Sequence, residues 1–176
     1  MKKYSVKDIS LASTFASLSI ILDVLSVRTD SSKYTLYGLP LLFAGILFGP
    51  WVGLLTGLIS GFLSQLLTFG LSLTTPLWMI APMLWGFISG LLFHNVFKKK
   101  ESPKNIVLTV ILTSIFVTLT NTLALYLDGL IYHYPTPYVI AQLGVRLITS
   151  IMLAIIYSIL IQGVLPKIKN LTTNSQ

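Results

Sequence analysis

Cysteine is absent from this 176-residue chain, which excludes disulfides, thiolate metal sites and cysteine nucleophiles. Charge is scarce as well. Asp, Glu, Lys and Arg make up 10% of the residues, where an ordinary soluble domain carries roughly 25%. The two histidines, His94 and His133, stand far apart, and with so few carboxylates no metal site and no cofactor are expected. No Gly-x-x-x-x-Gly-Lys-Ser/Thr loop occurs, so the chain is not expected to bind ATP by that route. What it has in quantity is apolar surface, 54% of residues. A single core of this size cannot hide that much, which rules out a cytosolic enzyme, a disordered chain and a small secreted scaffold.

The composition therefore predicts one integral-membrane domain over residues 1–176, with the lipid bilayer as its solvent. At ~20 apolar residues per span the length holds at most about six helices. The net charge of +7 does not point to nucleic acid, because the cations sit in short runs beside apolar segments, as at membrane edges. Lys2, Lys3 and Lys7 precede an apolar run, but no small-residue cleavage site follows before Asp23, so the first segment is expected to remain as a helix.

The apolar runs, read against turn and charge signals, place helices at about 8–27, 36–48, 51–69, 77–97, 105–127 and 137–165. Gly49-Pro50 separates the second from the third, since proline disfavours helical geometry in its predecessor. The second run is short for a full crossing. The fold class is thus all-α, a polytopic bundle of six transmembrane helices. With the N-terminus in the cytoplasm, six crossings put nine cations inside: Lys2, Lys3, Lys7, Lys98, Lys99, Lys100, Lys104, Lys167 and Lys169. Two, Arg28 and Lys33, fall outside, and Arg146 lies within a span. That bias assigns both termini to the cytoplasmic side of the membrane.

Arg146 is the most informative side chain. It falls about nine residues into the sixth helix, roughly 13 Å at 1.5 Å per residue, and a charge at that depth faces a partner or a wet cavity. Its guanidinium is a fixed fork of donors suited to a ligand carboxylate; an ion pair with Asp23 or Asp128, or snorkelling, is the structural alternative. Asp23 and Asp128 lie near helix ends, where each serves as a complement to Arg146, a receptor for a ligand amine, or a solvated terminus. Asn121 sits two turns before Asp128, with Tyr126 between them, and an amide inside a span needs another helix or a polar ligand. Trp78 and Trp85, seven residues apart, share a helix face. With Tyr126, Tyr132, Tyr134 and Tyr138 they are candidates to wall a pocket for a flat ring, or to anchor at the interface. Gln65 and Gln142 are further polar candidates. Ser60 in Gly57-Leu-Ile-Ser60-Gly61 has no histidine at its depth, so an intramembrane hydrolase is not supported. Gly53, Gly57 and Gly61 read instead as small-residue packing, and Ala12-x-x-x-Ala16, with Ser13 and Ser17 beside it, belongs to the same class.

Taken in order, Ala12-x-x-x-Ala16, the stretch Leu39-Pro40-Leu41-Leu42-Phe43-Ala44-Gly45-Ile46-Leu47-Phe48-Gly49-Pro50, the following Gly53 and Gly57, and Asn121-Thr122-Leu123 before Arg146 resemble the substrate-binding (S) component of energy-coupling factor (ECF) vitamin transporters. The likeness is to the group that includes folate, pantothenate and pyridoxine binders. It implies a binder and carrier rather than an enzyme. The S component captures a vitamin from outside under closing loops. It then docks through helix one, at Ala12 and Ala16, onto a membrane scaffold subunit joined to two ATPase subunits, whose ATP hydrolysis drives inward release. Arg146 points to a carboxylated vitamin and the aromatic wall to a pterin or pyridine ring. The competing reading is a structural membrane scaffold of the cell-envelope morphogenesis type, with no small ligand.

Overall fold

The computed structural model describes residues 5–28, 33–133 and 135–173. Lys2, Lys3 and Tyr134 lie outside these residues, as do the side chains of Arg28, Lys33, Tyr138 and Lys169. Among the described residues the regular structure is helical apart from a two-residue antiparallel ladder, β1 (Val27–Arg28) with β2 (Lys33–Tyr34).

Helix α1 (Val6–Val24) opens on a reciprocal cap: the Asp8 N–H donates to Ser5 Oγ (3.2 Å) and the Ser5 N–H to Asp8 Oδ2 (3.0 Å). Its buried side carries Ala12, Ala16, Ser19 and Asp23, one residue per turn, and packs on the next two helices. The connection from α1 is strapped down by hydroxyls. Ser19 Oγ donates to the Tyr37 carbonyl (2.8 Å), and Thr35 Oγ1 to the Leu22 carbonyl (3.1 Å).

Helix α2 (Gly38–Phe48) has 11 residues, about 16 Å at the α-helical rise and half of a ~30 Å hydrocarbon layer. It is enclosed rather than exposed. Leu42, Phe43 and Ile46 meet Phe93, Ile106, Val110, Ala154, Tyr157, Ile161 and Leu165 in the apolar core. Gly49, at φ 94°, ends the helix in a conformation that only glycine adopts cheaply, and Pro50 starts α3 (Pro50–Phe69) where its missing N–H costs nothing.

Helix α3 lies against α4 (Thr75–Leu91), which continues as a single π-helical turn over Leu92–Val96. The two backbones touch. A Cβ on Gly53 would collide with the Gly86 carbonyl, and one on Gly57 with the Pro82 carbonyl. Helix α5 (Pro103–Tyr132) ends where His133 turns into the left-handed region, φ 60°. The sixth segment is not the single helix expected over 137–165. It divides at Gln142 into α6 (Thr136–Ala141) and α7 (Leu143–Thr173), with the Arg146 N–H still bonded to the Gln142 carbonyl at 3.0 Å across the break.

Among the described residues four helical segments are long and apolar enough to cross a membrane: Pro50–Phe69, Thr75–Val96, Pro103–Tyr132 and Val139–Lys167. Their outer faces present Phe116, Leu119, Leu123, Ile148, Met152 and Ile159 outward, as lipid-facing surfaces do. Helix α2 is too short to belong to this set, and α1 carries a run of serines and threonine on its outer side.

Candidate functional site

Among the described residues the helices enclose an open cavity of about 640 Å³. Each wall comes from one periodic face. Helix α7 contributes Arg146, Thr149, Ser150, Leu153 and Tyr157, a spacing of three and four residues that lines up one stripe. Helix α5 contributes Val117, Thr118, Asn121, Asp128 and Tyr132. Trp78 and Trp85, the seven-residue pair, face the space from α4 with Ala81 and Pro82 between them. Helix α3 adds Gly61, Ser64, Gln65 and Phe69, and the connection from α1 closes one side with Thr35 and Tyr37.

Cross-helix bonds fix these groups. Trp78 Nε1–H donates to Asp128 Oδ1 at 3.3 Å, joining α4 to α5. Ser64 Oγ–H donates to Asp23 Oδ2 at 2.5 Å, joining α3 to α1. Trp85 meets Tyr157 edge to face, centroids 5.7 Å apart and planes at 74°, a geometry that aromatic quadrupoles favour. The Tyr157 hydroxyl then donates to the Thr35 carbonyl at 2.7 Å. Aromatic faces and hydroxyls thus alternate around the space, with two carboxylates and a guanidinium among them. Such a lining holds a small polar molecule with a flat ring: stacking supplies contact area, and the polar groups fix orientation.

Of the residues singled out by sequence, Arg146, Asn121, Trp78, Trp85, Asp128 and Asp23 line this cavity, together with Gln65 and Tyr132. Arg146 sits in the first turn of α7, close to the break at Gln142, instead of deep in an unbroken helix. Asp23 and Asp128 are buried, at 4% and 6% exposure, so neither is a solvated helix end. Two residues are not brought to the cavity. Tyr126 is exposed on the outer side of α5 and Gln142 is buried at the α6–α7 break. Ala12 and Ala16, expected on a docking surface, are fully buried inside the chain; the outer face of α1 carries Ser10, Ser13, Thr14 and Ser17 in their place. Tyr37, Tyr157, Ser64, Thr149 and Ser150 were not anticipated. The i, i+3, i+4, i+7, i+11 spacing from Arg146 to Tyr157 is the signal that could have found three of them.

The architecture is shared with solved structures. A crystal structure of FolT bound with folic acid superimposes with a TM-score of 0.70 at 20% identity, over 90% of this chain and 93% of that one. The S component of a bacterial ECF transporter matches with a TM-score of 0.67 at 19% identity, over 94% of this chain and 97% of the other. No curated protein sequence matches the chain. The fold is that of a transporter's substrate-binding component. A family model described as the S component of an ECF-type riboflavin transporter matches residues 3–166, and the chain belongs to that family. The S-component likeness read from the sequence is borne out, and the family is a transport subunit rather than an enzyme.

Proposed function

We propose that the cavity is the site at which this subunit captures a small water-soluble vitamin from outside the cell. The observation that carries the reading is the 640 Å³ cavity itself, in which Trp78, Trp85 and Tyr157 lie beside Arg146, Asn121 and Asp128. Flat heteroaromatic vitamins, riboflavin and folate among them, suit this mixture better than the ring-free pantothenate, and Arg146 receives the acceptor or carboxylate end.

In the same reading six helical segments lie in a bacterial plasma membrane with both termini inside, the short α2 enclosed by its neighbours. It works with a membrane scaffold subunit and two ATPase subunits, which supply the energy that this chain has no phosphate loop to harvest. The scaffold meets the outer face of α1 at Ser13 and Ser17, because Ala12 and Ala16 are already covered. On that face the Thr14 and Ser17 hydroxyls are satisfied within the helix, donating to the Ser10 and Ser13 carbonyls at 2.9 Å each, so at these two positions a partner helix can approach without stranding a donor.

Purified protein in detergent, titrated with riboflavin, folate, thiamin, pyridoxine and pantothenate, tests the binding claim. One submicromolar ligand is expected. The absence of any across the panel overturns it.

A further inference from the structure

Asp128 is 6% exposed and lines the cavity. A carboxylate offers two oxygens and about four acceptor positions. Among the described residues it receives one hydrogen bond, from Trp78 Nε1–H to Oδ1. At 3.3 Å this bond lies beyond the 2.7–3.2 Å range of well-formed N–H···O contacts. Buried charge is costly unless it is paired and hydrogen-bonded, and the remaining oxygen, Oδ2, belongs to a side chain on the wall of an open cavity. Its complement is a donor brought in from that cavity.

We propose that Asp128 is the residue that selects the ligand by its N–H donors. Oδ1 holds the Trp78 indole and so sets the angle of that ring on the cavity wall. Oδ2 accepts an N–H from the edge of a nitrogen heteroaromatic ring lying beside the indole. One residue on α5 thereby couples stacking to hydrogen-bond readout, and the ligand class narrows to rings with an N–H on their edge, such as flavins, pterins and aminopyrimidines. A site built to accept such a hydrogen bond rejects an analogue without it far more strongly than a hydrophobic slot rejects a change of size. This inference rests on the vitamin reading above and assigns the substrate class within it.

The test is isothermal titration of wild type and Asp128→Asn with riboflavin, folate, thiamin, pyridoxine and pantothenate. Asparagine keeps an acceptor for Trp78 and replaces the other oxygen with a donor. The expected result is that riboflavin, folate or thiamin binds wild type and that the variant binds it on the order of 10–100-fold more weakly, with an unchanged thermal midpoint. A second measurement needs no variant: the analogue methylated at the ring nitrogen, 3-methylriboflavin where riboflavin binds, is expected to be rejected by wild type. If wild type binds but neither change alters affinity by more than about threefold, below the effect expected of a lost charged hydrogen bond, the assignment of Asp128 is overturned and the vitamin reading stands. Binding of pantothenate alone overturns the ring assignment. No binding at all removes the vitamin reading and this inference with it.

Discussion

His94 Nε2 lies 2.8 Å from the carbonyl oxygen of Ile46. The carbonyl can only accept, so Nε2 is the protonated nitrogen. Ile46 is in the last turn of α2, where carbonyls lose their helical partners. The residue four places on is Pro50, which has no N–H, and the chain has already turned at Gly49. The π turn at the end of α4 brings the imidazole to that carbonyl and pins α4 to the α2–α3 junction.

His94→Ala is therefore expected to destabilise the fold by about 1–3 kcal/mol, the cost of stranding a buried acceptor, without changing which ligand binds. Thermal unfolding in detergent, with and without ligand, checks both parts.

Arg146→Ala is expected to weaken an anionic ligand by about 2–5 kcal/mol, as loss of a buried charged partner does. Arg146→Lys recovers only part of this, because an ammonium does not reproduce the guanidinium fork. Titration calorimetry at fixed ionic strength measures each step, and an unchanged Kd removes Arg146 from the site.

Gly86→Ala places a methyl group against the Gly53 carbonyl and is expected to cost about 1–3 kcal/mol or more through forced separation of α3 and α4. Gly163→Ala is the control. Nothing lies within 4 Å of a Cβ there, and helix propensity alone favours alanine by about 1 kcal/mol. Midpoints moving in opposite directions for the two variants confirm the contact.

Ser13→Phe on the outer face of α1 is expected to abolish co-purification of the partner subunits while leaving vitamin affinity intact. Ala12→Phe, by contrast, places its ring inside the chain and lowers the yield of folded protein. Pull-down from membranes together with ligand titration separates the two faces.

The parts of the site that could be read from sequence were those where a polar group interrupts an apolar run. Arg146, Asn121 and Asp128 stand out in this way, and the seven-residue step from Trp78 to Trp85 places both rings on one face. Tyr126 was misread because nearness along a helix is not nearness around it: two residues before Asp128 is about 200° of rotation, which turns the phenol outward. Tyr157 and Thr149 gave no composition signal, since a tyrosine and a threonine in an apolar helix look like packing until Arg146 fixes the inward stripe. A small-residue pair such as Ala12 and Ala16 states that something approaches closely, without stating whether it is the same chain or another. The Gly49-Pro50 stop was legible from backbone chemistry alone. The division at Gln142 was not, because Ala141 and Leu143 flank it and the nearby Gly144 falls inside α7 rather than at the break.

With Gly53 and Gly86 in backbone contact, no cushion of side chains lies between α3 and α4 at that level to be rearranged. Both cavity tryptophans and the serine that holds Asp23 ride on this inflexible plate. On the opposite side of the cavity the Thr35–Tyr37 segment is held by single side-chain hydrogen bonds, from the Tyr157 and Ser19 hydroxyls to the carbonyls of Thr35 and Tyr37. One wall of the cavity is thus backbone set on backbone, and the facing one is fastened by hydroxyls.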